Sequence, residues 1–101
     1  MLLIVKTPFN GQEEIMDMRV IHYFLAAARE GNITKAAKRL HMTQPTLSRQ
    51  LAELESELGV RLFERSSRRI TLTSEGILFR RRAEEMEELL AKTKEEISSG
   101  E

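Results

Sequence analysis

The run AAKRLHMTQPTLSRQLAELESELGVRLFER, residues 36–65, decides the fold. Thr43 is followed by Gln44 and Pro45, then by Leu47, Leu51, Leu54 and Leu58, and Gly59 closes the series. At about 100° per residue the four leucines share one narrow stripe. Thr43 therefore caps a helix, Pro45 occupies its first turn, where a missing N–H costs nothing, and Gly59 stops it. The opposite face carries Pro45, Arg49, Ala52 and Ser56, flanked by Thr46 and Ser48. Upstream, Thr34 is a good cap for a short helix from Lys35 to Leu40, and Ala36 and Ala37 let another helix approach closely. His41-Met42 makes a tight link between the two. Small residues at a helix crossing, a tight turn and a second helix with a polar outer face describe a helix-turn-helix.

Working outward, Asp17 caps a first helix with Ile21, Phe24, Leu25 and Ala28 on one face, and Gly31 ends it. Downstream, Leu62 and Phe63 anchor a stretch that passes through the polar turn Ser66-Ser67-Arg68-Arg69 into the alternating Ile70-Thr71-Leu72. That pattern predicts a two-stranded hairpin with a basic tip. Thr73 or Ser74 then caps a long helix, with Glu75 in its first turn, running to Ile97. The predicted fold is mainly α: a winged helix-turn-helix of three helices and a β wing over 18–73, a long helix over 74–97 and a tail over 98–101. Residues 1–17 read poorly as structure, an apolar start broken by Lys6 and Pro8. Two readings stand for them. One is a short strand or disordered tail; the other is that translation starts at Met16 or Met18, with Gln12-Glu13-Glu14 encoded by a purine-rich ribosome-binding sequence.

Composition narrows the function. The chain of 101 residues has no Cys and only two, separated, His (His22 and His41), which excludes a disulfide framework and leaves no metal site. One Asp, no Cys and no Gly-rich phosphate loop leave no nucleophile–base pair, so an enzyme is not expected and no cofactor is implied. No run of about 18 apolar residues is present, so neither a membrane span nor an orthodox signal peptide is expected, and the cytoplasm is the default location. The net charge of zero hides a segregation. Residues 1–17 carry −2, residues 18–82 carry thirteen Lys and Arg against six Glu, and residues 83–101 carry two Lys against seven Glu. A basic centre between acidic ends suits a polyanion, and equally a well-solvated helical domain.

The helix beginning at Gln44 is the candidate reader of that polyanion. Its N-terminal dipole and free N–H groups favour phosphate, placing Thr43, Gln44, Thr46, Ser48 and Arg49 for contact. Arg bonds bidentately to guanine and Gln to adenine, and a Thr methyl packs on a thymine methyl. A polar outer face is also ordinary solvation; the short helix and tight turn before it favour double-stranded DNA.

The same segment resembles a known family. From Met18 to about Arg82, the run MRVIHYFLAAAREGNITKAAKRLHMTQPTLSRQLAELESELGVRLFERSSRRITLTSEG is similar to the N-terminal DNA-binding domain of LysR-type transcriptional regulators. The resemblance implies that Gln44, Pro45, Thr46, Ser48 and Arg49 read the major groove and that Thr34 and Lys35 hold phosphates. It also implies that the wing, Arg65 to Arg69, reaches the minor groove or its flanking backbone. Arg68 and Arg69 suit that role, whereas Arg65 could instead pair with Glu64 or a helix end. The long helix corresponds to a linker helix that pairs with its twin in a homodimer, and full-length members could assemble further into a tetramer.

The residues allow that pairing. Phe79, Ala83, Met86, Leu90, Thr93 and Ile97 recur at heptad spacing, and Leu89 widens the seam. The stripe could otherwise pack only on its own domain. Arg80-Arg81-Arg82 reads as a solvated face in preference to a phosphate contact. Three departures from the family pattern stand out. The chain ends near the close of the linker helix, before any two-lobed effector domain, so no small-molecule site is expected in it. Thr46 stands where the family often has Ala or Pro. The third is the N-terminal extension. The alternative function is a winged-helix interaction module that dimerises through residues 79–97 without a DNA site.

Overall fold

The computed structural model describes residues 16–66 and 69–100. The segment before Met16, Ser67, Arg68 and the last residue lie outside that description, and with them the two readings of the N-terminal extension. The element order is α1 (Met18–Glu30), α2 (Ile33–Arg39), α3 (Gln44–Leu58), β1 (Phe63–Ser66), β2 (Arg69–Leu72) and α4 (Ser74–Ser99).

Local chemistry accounts for each boundary. The Asp17 carboxylate accepts from Val20 N at 3.0 Å to start α1, and Gly31 ends it in the left-handed region at φ 67°. Thr43 caps α3 through Thr46 N at 3.3 Å, and Gly59, at φ 74°, closes it. Thr73 caps α4, its hydroxyl oxygen accepting from Gly76 N at 2.9 Å. One expected cap is corrected. α2 starts two residues earlier than Thr34 predicts, because Asn32 Oδ1 accepts from Lys35 N at 2.8 Å and the early start buries Ile33 beside Ala36 and Ala37. α4 also runs past Ile97 to Ser99, with Gly100 as its left-handed cap.

The core is a single cluster. Phe24 stands at its centre, its ring 5.2 Å from that of Phe63 and edge-on to Phe79 at 4.8 Å. Leu47, Leu51 and Leu54 of α3 are fully buried against it, as the leucine stripe predicts. The strands pair antiparallel from Phe63↔Leu72 out to Ser66↔Arg69, so the wing projects from the core with only Phe63 and Ile70 buried. Ile70 N donates to Gly31 O at 3.1 Å, which fixes the wing to the end of α1.

Two ties orient the wing and α4. Glu55, its side chain 13% exposed, accepts from Leu62 N at 2.7 Å and Phe63 N at 3.1 Å, with Arg61 alongside at 3.8 Å. Thr73 N donates to Leu62 O, and Gly76 lies so close that a Cβ there would collide with the Leu62 carbonyl. Farther along, His22 Nδ1 and Glu87 Oε2 meet at 3.1 Å and join α1 to α4.

That packing divides the expected heptad seam. Ala83 is fully buried and Phe79 partly buried in the domain's own core, so these two of the predicted dimer residues are occupied within the subunit. Met86, Leu89, Leu90 and Ile97 remain exposed at 37%, 64%, 38% and 77%, with Thr93 exposed among them. Leu78, 51% exposed, falls on the same side of α4 as Leu89 and was hidden in the heptad reading.

Candidate nucleic-acid interface

Two helices and the wing supply one groove. The starts of α2 and α3 and the two wing strands surround an open cleft of about 490 Å³ lined by Asn32, Thr34, Lys35, Gln44, Arg65 and Arg69, with Ile33 and Ile70 as its apolar walls. Residues distant in sequence meet here because Asn32 caps α2 directly after the Gly31 carbonyl has taken the Ile70 N–H. Thr34, Lys35, Arg65 and Arg69 are all exposed. Among the described residues no carboxylate lies within ion-pair distance of Lys35, Arg65 or Arg69. Arg65 thus does not pair with Glu64, its neighbour on an alternating strand, and faces the groove instead. Arg68 lies outside the described residues.

The remaining predicted readers follow the outer face of α3. Pro45 and Arg49 are exposed, Thr46 and Ser48 partly so. Arg49 makes no ion pair within the described residues, so its guanidinium donors are available. Gln44 Nε2 donates to Ser48 Oγ at 3.0 Å, and Thr43 Oγ1 donates to Thr46 Oγ1 at 2.7 Å. Thr43 therefore acts chiefly as a cap, holding the end of the helix that presents its neighbours. Asn32 is the groove residue that the sequence reading missed. The repeat Ile33, Ala36, Ala37, Leu40 carries its signal, since that apolar face begins one residue after Asn32.

The arrangement is a basic concave edge beside a polar helix face, suited to phosphate oxygens in the groove and base edges along α3. Among the described residues no cluster of three His, Asp or Glu could hold a metal, and no helix is long and apolar enough to cross a membrane.

Residues 18–77 match the family model described as a bacterial regulatory helix-turn-helix protein of the lysR family. The chain belongs to the LysR family. Among curated relatives, the LysR-type chain is 56% identical over 72 residues to the HTH-type transcriptional regulator BsdA of Bacillus subtilis, a match covering 70% of this chain and 25% of that one. It is 51% identical over 74 residues to the HTH-type transcriptional regulator TfdS of Cupriavidus pinatubonensis, covering 73% and 25%. Both relatives are named as regulators, not enzymes, in keeping with the expected absence of catalysis. The match to this chain thus spans about a quarter of their length. Among solved structures, the DNA-binding domain of CbnR in complex with DNA aligns with a TM-score of 0.81 at 42% identity, covering 84% of this chain and 98% of that one. The DNA-binding domain of BenM with catB site 1 DNA aligns at 0.77 and 40%, covering 84% and 95%. The mainly helical winged helix-turn-helix expected from sequence is the architecture of this LysR-family chain.

Proposed function

We infer that the chain binds double-stranded DNA sequence-specifically as a homodimer and forms the DNA-binding part of a cytoplasmic LysR-type transcriptional regulator. The observation that carries this reading is the convergence of Lys35, Gln44, Arg65 and Arg69 from two helices and both wing strands on one groove, beside an α3 face that presents an unpaired Arg49. The similar CbnR and BenM domains bound to DNA support it. In this reading residues 18–73 form the DNA-binding unit and 74–97 the linker helix. α3 enters the major groove, Gln44, Thr46, Ser48 and Arg49 face base edges, and Thr34, Lys35 and the wing hold backbone. Charge neutralisation supplies most of the affinity and base contacts most of the discrimination.

Pairing of α4 with a second copy supplies the dimer. The exposed stripe Met86, Leu89, Leu90, Thr93 and Ile97, with Leu78 at its near end, needs an apolar cover. Arg82 toward the start of α4 and Glu96 toward its end flank this stripe, so an antiparallel partner sets opposite charges side by side. Selection of sites from a random duplex library tests the reading: an enriched two-fold site, with affinity falling steeply in salt, is expected. Weak binding without enrichment would refute it.

A further inference from the structure

A second basic recess lies outside the groove, between α1 and α4. Leu25, Ala28 and Arg29 line it from α1, Arg80 and Glu84 from α4. Among the described residues no ion pair joins either arginine, nor Glu84. Arg29 sits in the last turn of α1, where the helix dipole favours a cation. Arg80 has no such explanation, since it lies toward the N-terminal end of α4 and gains nothing from that helix. Its neighbour Arg82 differs, being paired with Glu85 at 2.8 Å. Packing of Phe79 and Ala83 into the core sets the rotation of α4 and so puts Arg80 at the recess. Two guanidinium groups from separate elements thus share one concavity with a single carboxylate, Glu84, which leaves the recess net positive and able to take an anion.

The recess adjoins the DNA-facing edge. Two residues beyond Arg29, Gly31 O accepts from Ile70 N at 3.1 Å, and Ile70 walls the groove that holds Lys35, Arg65 and Arg69. The end of α1 and the root of the wing thus link the recess to the groove. We propose that Arg29 and Arg80 together clamp a backbone phosphate of duplex that continues beyond the wing, engaged when that duplex bends toward the flank. Arginine suits the task because its planar fork bonds two phosphate oxygens at once, and a bend is favoured where new contacts offset its cost. The assignment rests on the DNA-binding reading above and adds a contact outside the groove and α3.

The test uses the full chain, the double variant Arg29→Gln/Arg80→Gln, and two duplexes sharing one selected site. The shorter duplex ends at the wing and the longer extends about one helical turn, roughly 10 base pairs, on each side. The wild type is expected to bind the longer duplex several-fold more tightly. The double variant should lose that advantage, with a salt slope lowered by about one per subunit on the longer duplex and unchanged affinity for the shorter one. Arg29→Lys/Arg80→Lys should keep the slope. Equal length dependence and equal slopes in variant and wild type would overturn the clamp. So would an altered monomer–dimer balance with no length effect, which would assign the recess to a second copy's acidic helix face. Wild-type protein that binds neither duplex would overturn the DNA-binding reading itself, and the clamp with it.

Discussion

Arg49 and Arg69 are both exposed cations, yet their surroundings assign them different work. Arg49 stands on the outer face of α3 and Arg69 at the wing end of the groove. Arg49→Ala should cost about 1–3 kcal/mol of discrimination at one base position. Arg69→Ala should weaken specific and random duplexes alike; competition binding against both separates the outcomes, and equal losses for Arg49→Ala would refute base reading. Glu55 makes the opposite case, a charge whose role lies in folding. Its carboxylate serves the N–H groups of Leu62 and Phe63, so Glu55→Ala leaves two donors without their partner and should cost roughly 2–4 kcal/mol in denaturant unfolding. Glu55→Gln, which keeps an acceptor, should lose less. None of this was legible in the sequence, because the partners of Glu55 lie beyond the end of its own helix. Thr43, Gly59 and Thr73 were legible, since a cap acts on the next turn of the same element.

At the scale of elements, periodicity found four helices and a hairpin but could not say which face of α4 goes where. Phe79 and Ala83 belong to the subunit's core and Leu89 and Ile97 do not, although all four fit one apolar repeat. Tertiary packing alone separates them: Phe79 meets Phe24 across fifty-odd residues of intervening chain. Asn32 and Thr34 posed a similar choice, since either side chain can cap a helix, and burial of Ile33 decides it. The strongest prediction here concerns Gly76. A methyl group there meets backbone, which cannot rotate away, so Gly76→Ala should destabilise the domain by about 1–3 kcal/mol despite alanine's better helix propensity. Thermal unfolding checks it; a stabilised variant would show that α4 can shift off Leu62.

For the whole molecule, the expected outcome concerns assembly. Leu89→Glu with Ile97→Glu places charges on the exposed stripe and leaves the buried core untouched. Sedimentation should show a shift toward monomer, unfolding should be nearly unchanged at low protein concentration, and affinity for a two-fold site should fall toward that for a half-site control. The charge segregation read from the sequence takes on spatial meaning here. The basic centre includes the groove edge, and the acidic end is the C-terminal part of α4, from Ala83 through the tie to α1 at Glu87 and on to Ser99.

That tie sets a lever. α4 has 26 residues and so a length of about 39 Å, held at its root by the Gly76–Leu62 contact and partway along by His22. Beyond that tie, Glu88 to Ser99 are exposed at every position. For a rigid rod of that length, a tilt of about 5° at the root moves the tip by roughly 3 Å, close to the rise of one base pair. Two copies joined along such rods would translate a small change beside Gly76 into a step in the separation of their reading helices. The choice between operators that differ by a single base pair of spacing would then be made at the foot of the rod, far from any base.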